Sequence, residues 1–174
     1  MGSVVSVWAV RLTYNFARKG GYTWPPWEGE EDYRWAELRK HPVFAHPIPW
    51  FIFNLTFISF YQSFLICSFC FPIVLSVNAA YPLNGLDYVA AVLVVAFVAL
   101  EYFADQEQWD FQQAKKRGVK TIGFLNTGLW ARSRHPNFFG EQAVWVSFYI
   151  FSIAASGRVC NWTIVGCLLL MLLF

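Results

Sequence analysis

Charge is what this sequence has least of. Its 174 residues carry only 13 lysines and arginines and 11 aspartates and glutamates, 14% in all. Between residues 41 and 104 the charged side chains are Asp87 and Glu101, and from 135 to 174 they are Glu141 and Arg158. With 57% of residues hydrophobic and 20% aromatic, this poverty of charge excludes an ordinary soluble domain. A net charge of +2 leaves no basic face for nucleic acid, so no nucleic-acid partner is expected. Glycine-rich phosphate loops are also missing: no GxGxxG follows a strand and no Walker sequence occurs. That weighs against a soluble dinucleotide-binding domain or a nucleoside triphosphatase, but leaves open a nucleotide held among membrane helices. Cysteine is scarce, at four. Cys67 and Cys70 form a CxxC inside an apolar run, without a histidine, an acid or a second pair nearby, and are expected to be small buried hydrophobes; the others are Cys160 and Cys167. His41 and His46 lie in HPVFAHP, where the prolines break any shared helical face. No metal is expected.

What the sequence does have is long uncharged runs. A bilayer core asks for about 20 helical residues. The run at residues 50–80 exceeds that and predicts one tilted or Pro72-kinked span, with a span followed by a re-entrant piece as the alternative. The turn YPLNGLD precedes a second span at 86–103, and these two form a hairpin. A third is predicted at 138–156, ending in an SGR turn, and a fourth, short for a full crossing, at 160–174. The opening MGSVVSVWAV fits the end of a membrane helix, or an interfacial helix, leading into Arg11. The fold class is therefore all-α: a single polytopic membrane helix bundle over residues 1–174, of about four to five helices with polar loops.

Those loops hold the charge. Six basic residues lie between Arg11 and Lys40, and six more between Lys115 and Arg134. A hairpin between them brings both blocks to one side, and the positive-inside tendency makes that side cytosolic. In the second block, Asp105, Trp109, Gln112 and Lys116 share one helical face, presenting an acid, an aromatic plate, an amide and a cation in line. Arg132, Arg134, His135 and Asn137 cluster before the next apolar helix, a set suited to phosphate or ribose oxygens. A basic membrane boundary that anchors lipid headgroups produces the same composition. Glu141, at the start of an apolar run, requires a partner, for which Arg134 or another nearby base is the candidate.

The string GLWARSRHPNFFGE at 128–141 resembles the late signature of the membrane steroid 5-alpha-reductase superfamily, especially its DUF1295 branch. FADQEQWDFQQAKKRG resembles the segment that precedes it, and RLTYNFARKGG with EEDYRWAELR resembles the earlier polar signature. The resemblance covers most of the chain, in the same order. It implies NADPH as cofactor, hydride transfer to a carbon–carbon double bond of a steroid-like or other lipid substrate, and residence in the endoplasmic-reticulum membrane. By motif position it implies Asp105, Gln112, Arg132, His135, Asn137 and Glu141 as cofactor-site residues, and Arg11, Asn15, Asp32 and Arg34 as members of the earlier signature. No catalytic residue is assigned, and Tyr102 is expected to be a membrane-interface aromatic. Characterised relatives carry substrate-polarising residues in earlier helices and a polar C-terminal tail, so an incomplete member of the family is expected.

Two other readings stand beside this one. A catalytically inactive scaffold or lipid-binding subunit, completed by a membrane protein partner, fits the missing elements. An isoprenylcysteine methyltransferase-like enzyme, with S-adenosylmethionine as cofactor, also uses an RHP-containing segment, but the upstream strings resemble the reductase branch more closely.

Overall fold

The computed structural model describes residues 2–25, 33–79, 82–119 and 123–173. Every regular element among them is helical. In chain order these are α1 (Gly2–Arg18), α2 (Tyr33–Leu38), α3 (Pro47–Phe53), a π-helical segment (Asn54–Tyr61), α4 (Gln62–Phe69), α5 (Phe71–Val77), α6 (Gly85–Lys116), α7 (Pro136–Ser156) and α8 (Val165–Leu173). Single 3-10 turns at Gly128–Ala131 and Trp162–Ile164 lead into α7 and α8. Three stretches are long and apolar enough, by length and composition, to cross a membrane: Pro47–Val77, Gly85–Lys116 and Pro136–Ser156. A shorter apolar helix, Trp162–Leu172, corresponds to the fourth run.

Local chemistry fixes the ends. Asn84 caps α6 by accepting from Leu86 N at 2.9 Å, while Asp87 accepts from Asn84 N at 2.9 Å. Lys115 and Lys116 occupy the last turn of α6, where cations suit the exposed carbonyls. α7 opens on Pro136, which lacks the N–H that a first turn leaves unpaired. It closes on Gly157 at φ 66°, whose N–H reaches Ile153 O at 2.8 Å.

The break expected at Pro72 lies between α4 and α5, at Cys70. Proline donates no N–H to the carbonyl four residues back, here that of Ser68. α8 packs against this backbone so closely that a Cβ on Gly166 would lie 2.6 Å from Ser68 O. Leu65, Ser68 and Phe69 form the inward stripe of α4, which turns Cys67 and Cys70 outward. The cysteine expectation is thus corrected. Cys167 alone of the four is buried, and Cys160 sits exposed in the turn before α8; all four are free thiols.

α6 and α7 run antiparallel. Asn84 donates to Ala154 O at one end, and Asn137 reaches Asp105 at the other. Between them Gly140 lies so close to α6 that an added Cβ would be 2.5 Å from Glu101 Cγ. α1 runs parallel to α6, since Arg11, Asn15 and Arg18 meet Asp105, Asp105 and Gln106 in rising order. The core lies where α1, α4 and α7 meet. Phe69 packs on Trp145 at 4.3 Å, on Phe148 at 4.7 Å and on Trp8 at 5.3 Å between ring centroids. Burying such rings contributes about 2–3 kcal/mol each in water, and less against lipid, where packing replaces the hydrophobic drive.

Candidate functional site

The inward residues of α1 are Val4, Val5, Trp8, Arg11, Asn15 and Arg18, one stripe at helical spacing that passes from apolar to polar. Its first half joins the core and its second half meets Glu101 and Asp105 of α6 and Glu141 of α7. Arg11 contacts Glu101, lies 2.6 Å from Asp105 and 3.7 Å from Glu141. Two helices, α6 and α7, therefore bring three carboxylates to one guanidinium on α1. Glu101 is fully buried, and the side chains of Arg11 and Asp105 are about nine-tenths buried.

Asp105 is the hub. Its Oδ2 accepts from Arg11 and from Asn15 Nδ2 at 2.9 Å, and its Oδ1 from Asn137 Nδ2 at 3.2 Å. Glu141 accepts from the indole N–H groups of Trp145, at 3.1 Å, and Trp8, at 3.5 Å. Arg18 extends the network outward, donating to Asn15 Oδ1 and Gln106 Oε1 with its guanidinium 5.1 Å from the Trp109 ring centre. Charges at membrane depth are costly unless paired, so this arrangement is demanded by the burial. Within this network Arg11 Nε and Glu101 Oε1 are buried without a hydrogen-bond partner among the described residues.

A cavity of about 520 Å³ lies beside the polar end of α6, between Gln108, Gln112, Phe124, Trp130, Arg134 and His135. Its floor is pinned to α6 from two directions: Trp130 Nε1 donates to Ala104 O at 3.0 Å, and Leu129 N donates to Glu107 at 2.9 Å. Gly128, at φ 60°, allows this close approach, since a Cβ there would lie within 2.6 Å of the Glu107 carboxylate. Gln108 lines the cavity, and its Oε1 is buried with no donor among the described residues.

The whole chain, residues 1–174, matches the family described as a protein of unknown function, DUF1295. The chain belongs to the DUF1295 family. It is 35% identical over 182 residues to the uncharacterized protein C594.04c of Schizosaccharomyces pombe, an alignment covering 94% of this chain and 51% of that protein. The chain thus spans about half the length of this curated relative. No solved structure matches.

In this DUF1295 chain, Arg11, Asn15, Asp105, Asn137 and Glu141 converge in one network, whereas Gln112 and His135 line the neighbouring cavity. The shared face expected on α6 is divided: Asp105 turns to α1, Trp109 lies under Arg18, and Gln112 faces the cavity. Arg132 follows the 3-10 turn and is exposed. Arg34 lies on α2, whose Trp35 packs edge-on against Phe53, and Asp32 falls outside the described residues. The partner of Glu141 is corrected from Arg134 to Arg11, because α1 lies across the start of α7 while Arg134 faces the cavity. Glu101, Trp8, Trp145 and Arg18 are site residues that the sequence reading did not assign. Glu101 carried a signal: an acid at the end of an apolar run, one helical turn before Asp105.

Proposed function

We propose that this chain is the cofactor-binding part of an NADPH-dependent membrane reductase that acts on a carbon–carbon double bond in a steroid-like or other lipid substrate. The observation that carries the reading is the meeting of two polar segments, about ninety residues apart, at Asp105, directly beside a cavity rich in amides and aromatic rings. The cavity fits part of a nucleotide. Phe124 and Trp130 offer ring faces, Gln108 and Gln112 offer amides at the height of a base or ribose, and Arg134 offers a fork for phosphate. NADPH, when bound, supplies the hydride. The Arg11 network then acts as a fixed support, holding α1, α6 and α7 in one arrangement and keeping the cavity wall in register. The resemblance of GLWARSRHPNFFGE and FADQEQWDFQQAKKRG to the steroid 5-alpha-reductase superfamily supports the same reading, together with the endoplasmic-reticulum membrane as its compartment.

The test is nucleotide binding by the intact chain in detergent, with NADPH, NADH and S-adenosylmethionine compared by calorimetry. Preferential NADPH binding, weakened at least about tenfold by Arg134→Ala, is expected. A folded sample that binds no nucleotide overturns the reading, and one that prefers S-adenosylmethionine replaces it with a methyltransferase. One observation favours a second reading, an inactive scaffold or lipid-binding subunit with a membrane protein partner. Both oxygens of Asp105 are already engaged by the protein's own side chains, as in a structural joint. NADPH binding without turnover, or a stoichiometric partner in place of binding, would favour it.

A further inference from the structure

The Arg11 network sets three acids against one base. The charged side chains that face Glu101 among the described residues are Arg11 from α1, Glu141 from α7 and, one turn along its own helix, Asp105. With every acid ionised, the cluster would carry two negative charges that no cation answers. Glu101 is fully buried, and Arg11 and Asp105 are about nine-tenths buried. Unanswered charges in such surroundings are costly, and at close range they repel one another strongly. Positive charge must come from somewhere else.

A metal ion needs several ligands around one point, and no group of three or more His, Cys, Asp or Glu side chains is placed to hold one among the described residues. A proton needs only one carboxyl to carry it and an acceptor to receive its hydrogen bond. The hydrogen bonds single out the carrier. Asp105 accepts from Arg11, Asn15 and Asn137, and Glu141 accepts from the indoles of Trp8 and Trp145, so both already face donors. Glu101 Oε1 has no donor, and the Glu141 carboxyl lies within hydrogen-bonding reach of Glu101. The two also share one nitrogen: Glu101 contacts Arg11 Nη1, and Glu141 Oε2 lies 3.7 Å from the same atom. Gly140 permits this meeting. A Cβ there would lie 2.5 Å from Glu101 Cγ, so the missing side chain is what lets Glu101 rest on the start of α7 beside Glu141.

We propose that Glu101 and Glu141 form a proton-binding carboxyl pair, with one proton carried by Glu101 and donated to Glu141 beside the Arg11 guanidinium. Two carboxyl groups in hydrogen-bond contact cannot both be ionised, and such a pair titrates as a unit. The proton removes one of the two unanswered charges and turns an orphaned acceptor into a donor. It also bonds α6 to α7 at the level where Arg11 binds α1 to both. The site stands independently of the nucleotide reading, since neither Glu101 nor Glu141 lines the cavity beside Gln112.

The experiment is infrared spectroscopy of the intact chain at neutral pH, in a detergent without ester groups, in light and in heavy water. Water-exposed carboxyls are ionised at that pH, so a single protonated carboxyl gives an isolated C=O band that moves to lower frequency on deuteration. The parent is expected to show this band. Glu101→Gln keeps the shape and a donor toward Glu141, and is expected to erase it. Glu141→Gln is expected to erase it too, because Glu101 then meets a neutral amide and Arg11, with no second carboxylate to share a proton. The second readout is proton release on unfolding by dodecyl sulfate in weak buffer: the parent is expected to release about one proton more per chain than either variant, as Glu101 ionises in water. No band from the folded parent overturns the proposal. A band that survives Glu101→Gln puts the proton on another group, and one that survives Glu141→Gln makes Glu101 a lone neutral acid; either result overturns the shared site. So does a parent that releases no proton on unfolding, an outcome that decides even where a variant does not fold.

Discussion

Two polar clusters are buried in this bundle, and they solve the same problem in opposite ways. One is built around Arg11 with Glu101, Asp105 and Glu141; the other joins Tyr149, Ser152, Asn161 and Thr163. They are separated along α7 by eleven residues, from Glu141 to Ser152, or about 16 Å. The second cluster carries no charge and closes on itself within fifteen residues of sequence. Tyr149 donates to Val159 O at 2.6 Å and accepts from Asn161 N, while Asn161, Ser152 and Thr163 satisfy one another at 2.6–3.1 Å. Its evident work is to fasten the turn between α7 and α8. The charged cluster draws on three helices, gathers more acid than base, and still leaves Arg11 Nε and Glu101 Oε1 unpartnered. A neutral cluster that saturates its own groups is a folding device; a charged one with groups to spare has capacity for something else.

The most severe way to probe that contrast is Arg11→Ala. It leaves three carboxylates without their cation, and breaking a buried pair in this way costs about 3–5 kcal/mol. Thermal unfolding in detergent should show the largest loss of any single change in either cluster. If Arg11→Ala melts no lower than the neutral-cluster variants, the charged network is not what joins α1 to the bundle. Next in size is Gly140→Ala. The added Cβ would lie 2.5 Å from Glu101 Cγ and 3.3 Å from Phe97 O, so α7 must move away from α6. Overpacking of this kind costs ~2 kcal/mol. NADPH affinity should fall along with the melting temperature, since the same shift displaces Asn137 from Asp105. A loss of stability with affinity intact would separate the helix crossing from the nucleotide cavity.

How much of this was legible in the sequence follows from the same contrast. Charged groups in apolar surroundings announce themselves, so Arg11, Asp105 and Glu141 could be picked out from composition and motif alone. Glu101 was as visible, yet it reads as the end of a span until Gly140 is seen pressing on it. Trp8 and Trp145 were not legible, because an indole in an apolar run looks like packing and its N–H finds Glu141 only through tertiary structure. The three spans follow from hydropathy, while the outward turn of Cys67 and Cys70 depends on which face of α4 meets α7 and α8. The uncharged cluster had no signature at all. Serine, threonine and asparagine near a turn occur everywhere, and their convergence is set by the left-handed Gly157 and the 3-10 turn at Trp162–Ile164.

Asn161→Ala tests the neutral cluster at its centre. It removes the cap on Thr163 N, at 3.1 Å, and the amide bond to Ser152 Oγ, at 3.1 Å, so a loss of ~1.5 kcal/mol is expected. Proteolysis at the exposed residues 157–160 should speed up, while the melting of α1 away from the bundle should be unchanged. Equal cleavage rates in the variant and the parent would show that the turn is held by the α7–α8 packing instead.

The smallest effect is expected from Thr163→Val, and it is the sharpest test of separateness. Thr163 is fully buried, and its hydroxyl lies 2.6 Å from Asn161 Oδ1 and 2.9 Å from Ser152 Oγ. Valine nearly keeps the shape and removes only the hydroxyl. Asn161 Oδ1 then still accepts from Thr163 N, a backbone bond the substitution preserves, and Ser152 Oγ still donates to Tyr149 O and accepts from Asn161 Nδ2. Because no partner is left without a bond, the loss should be about 1 kcal/mol. Binding of NADPH should not change, since the nucleotide cavity lies at the opposite end of α7 from Ser152. If a folded Thr163→Val chain binds NADPH tenfold more weakly, α7 transmits strain between its two ends. The neutral cluster would then be part of the functional apparatus, and the division of labour drawn between the two clusters would fail.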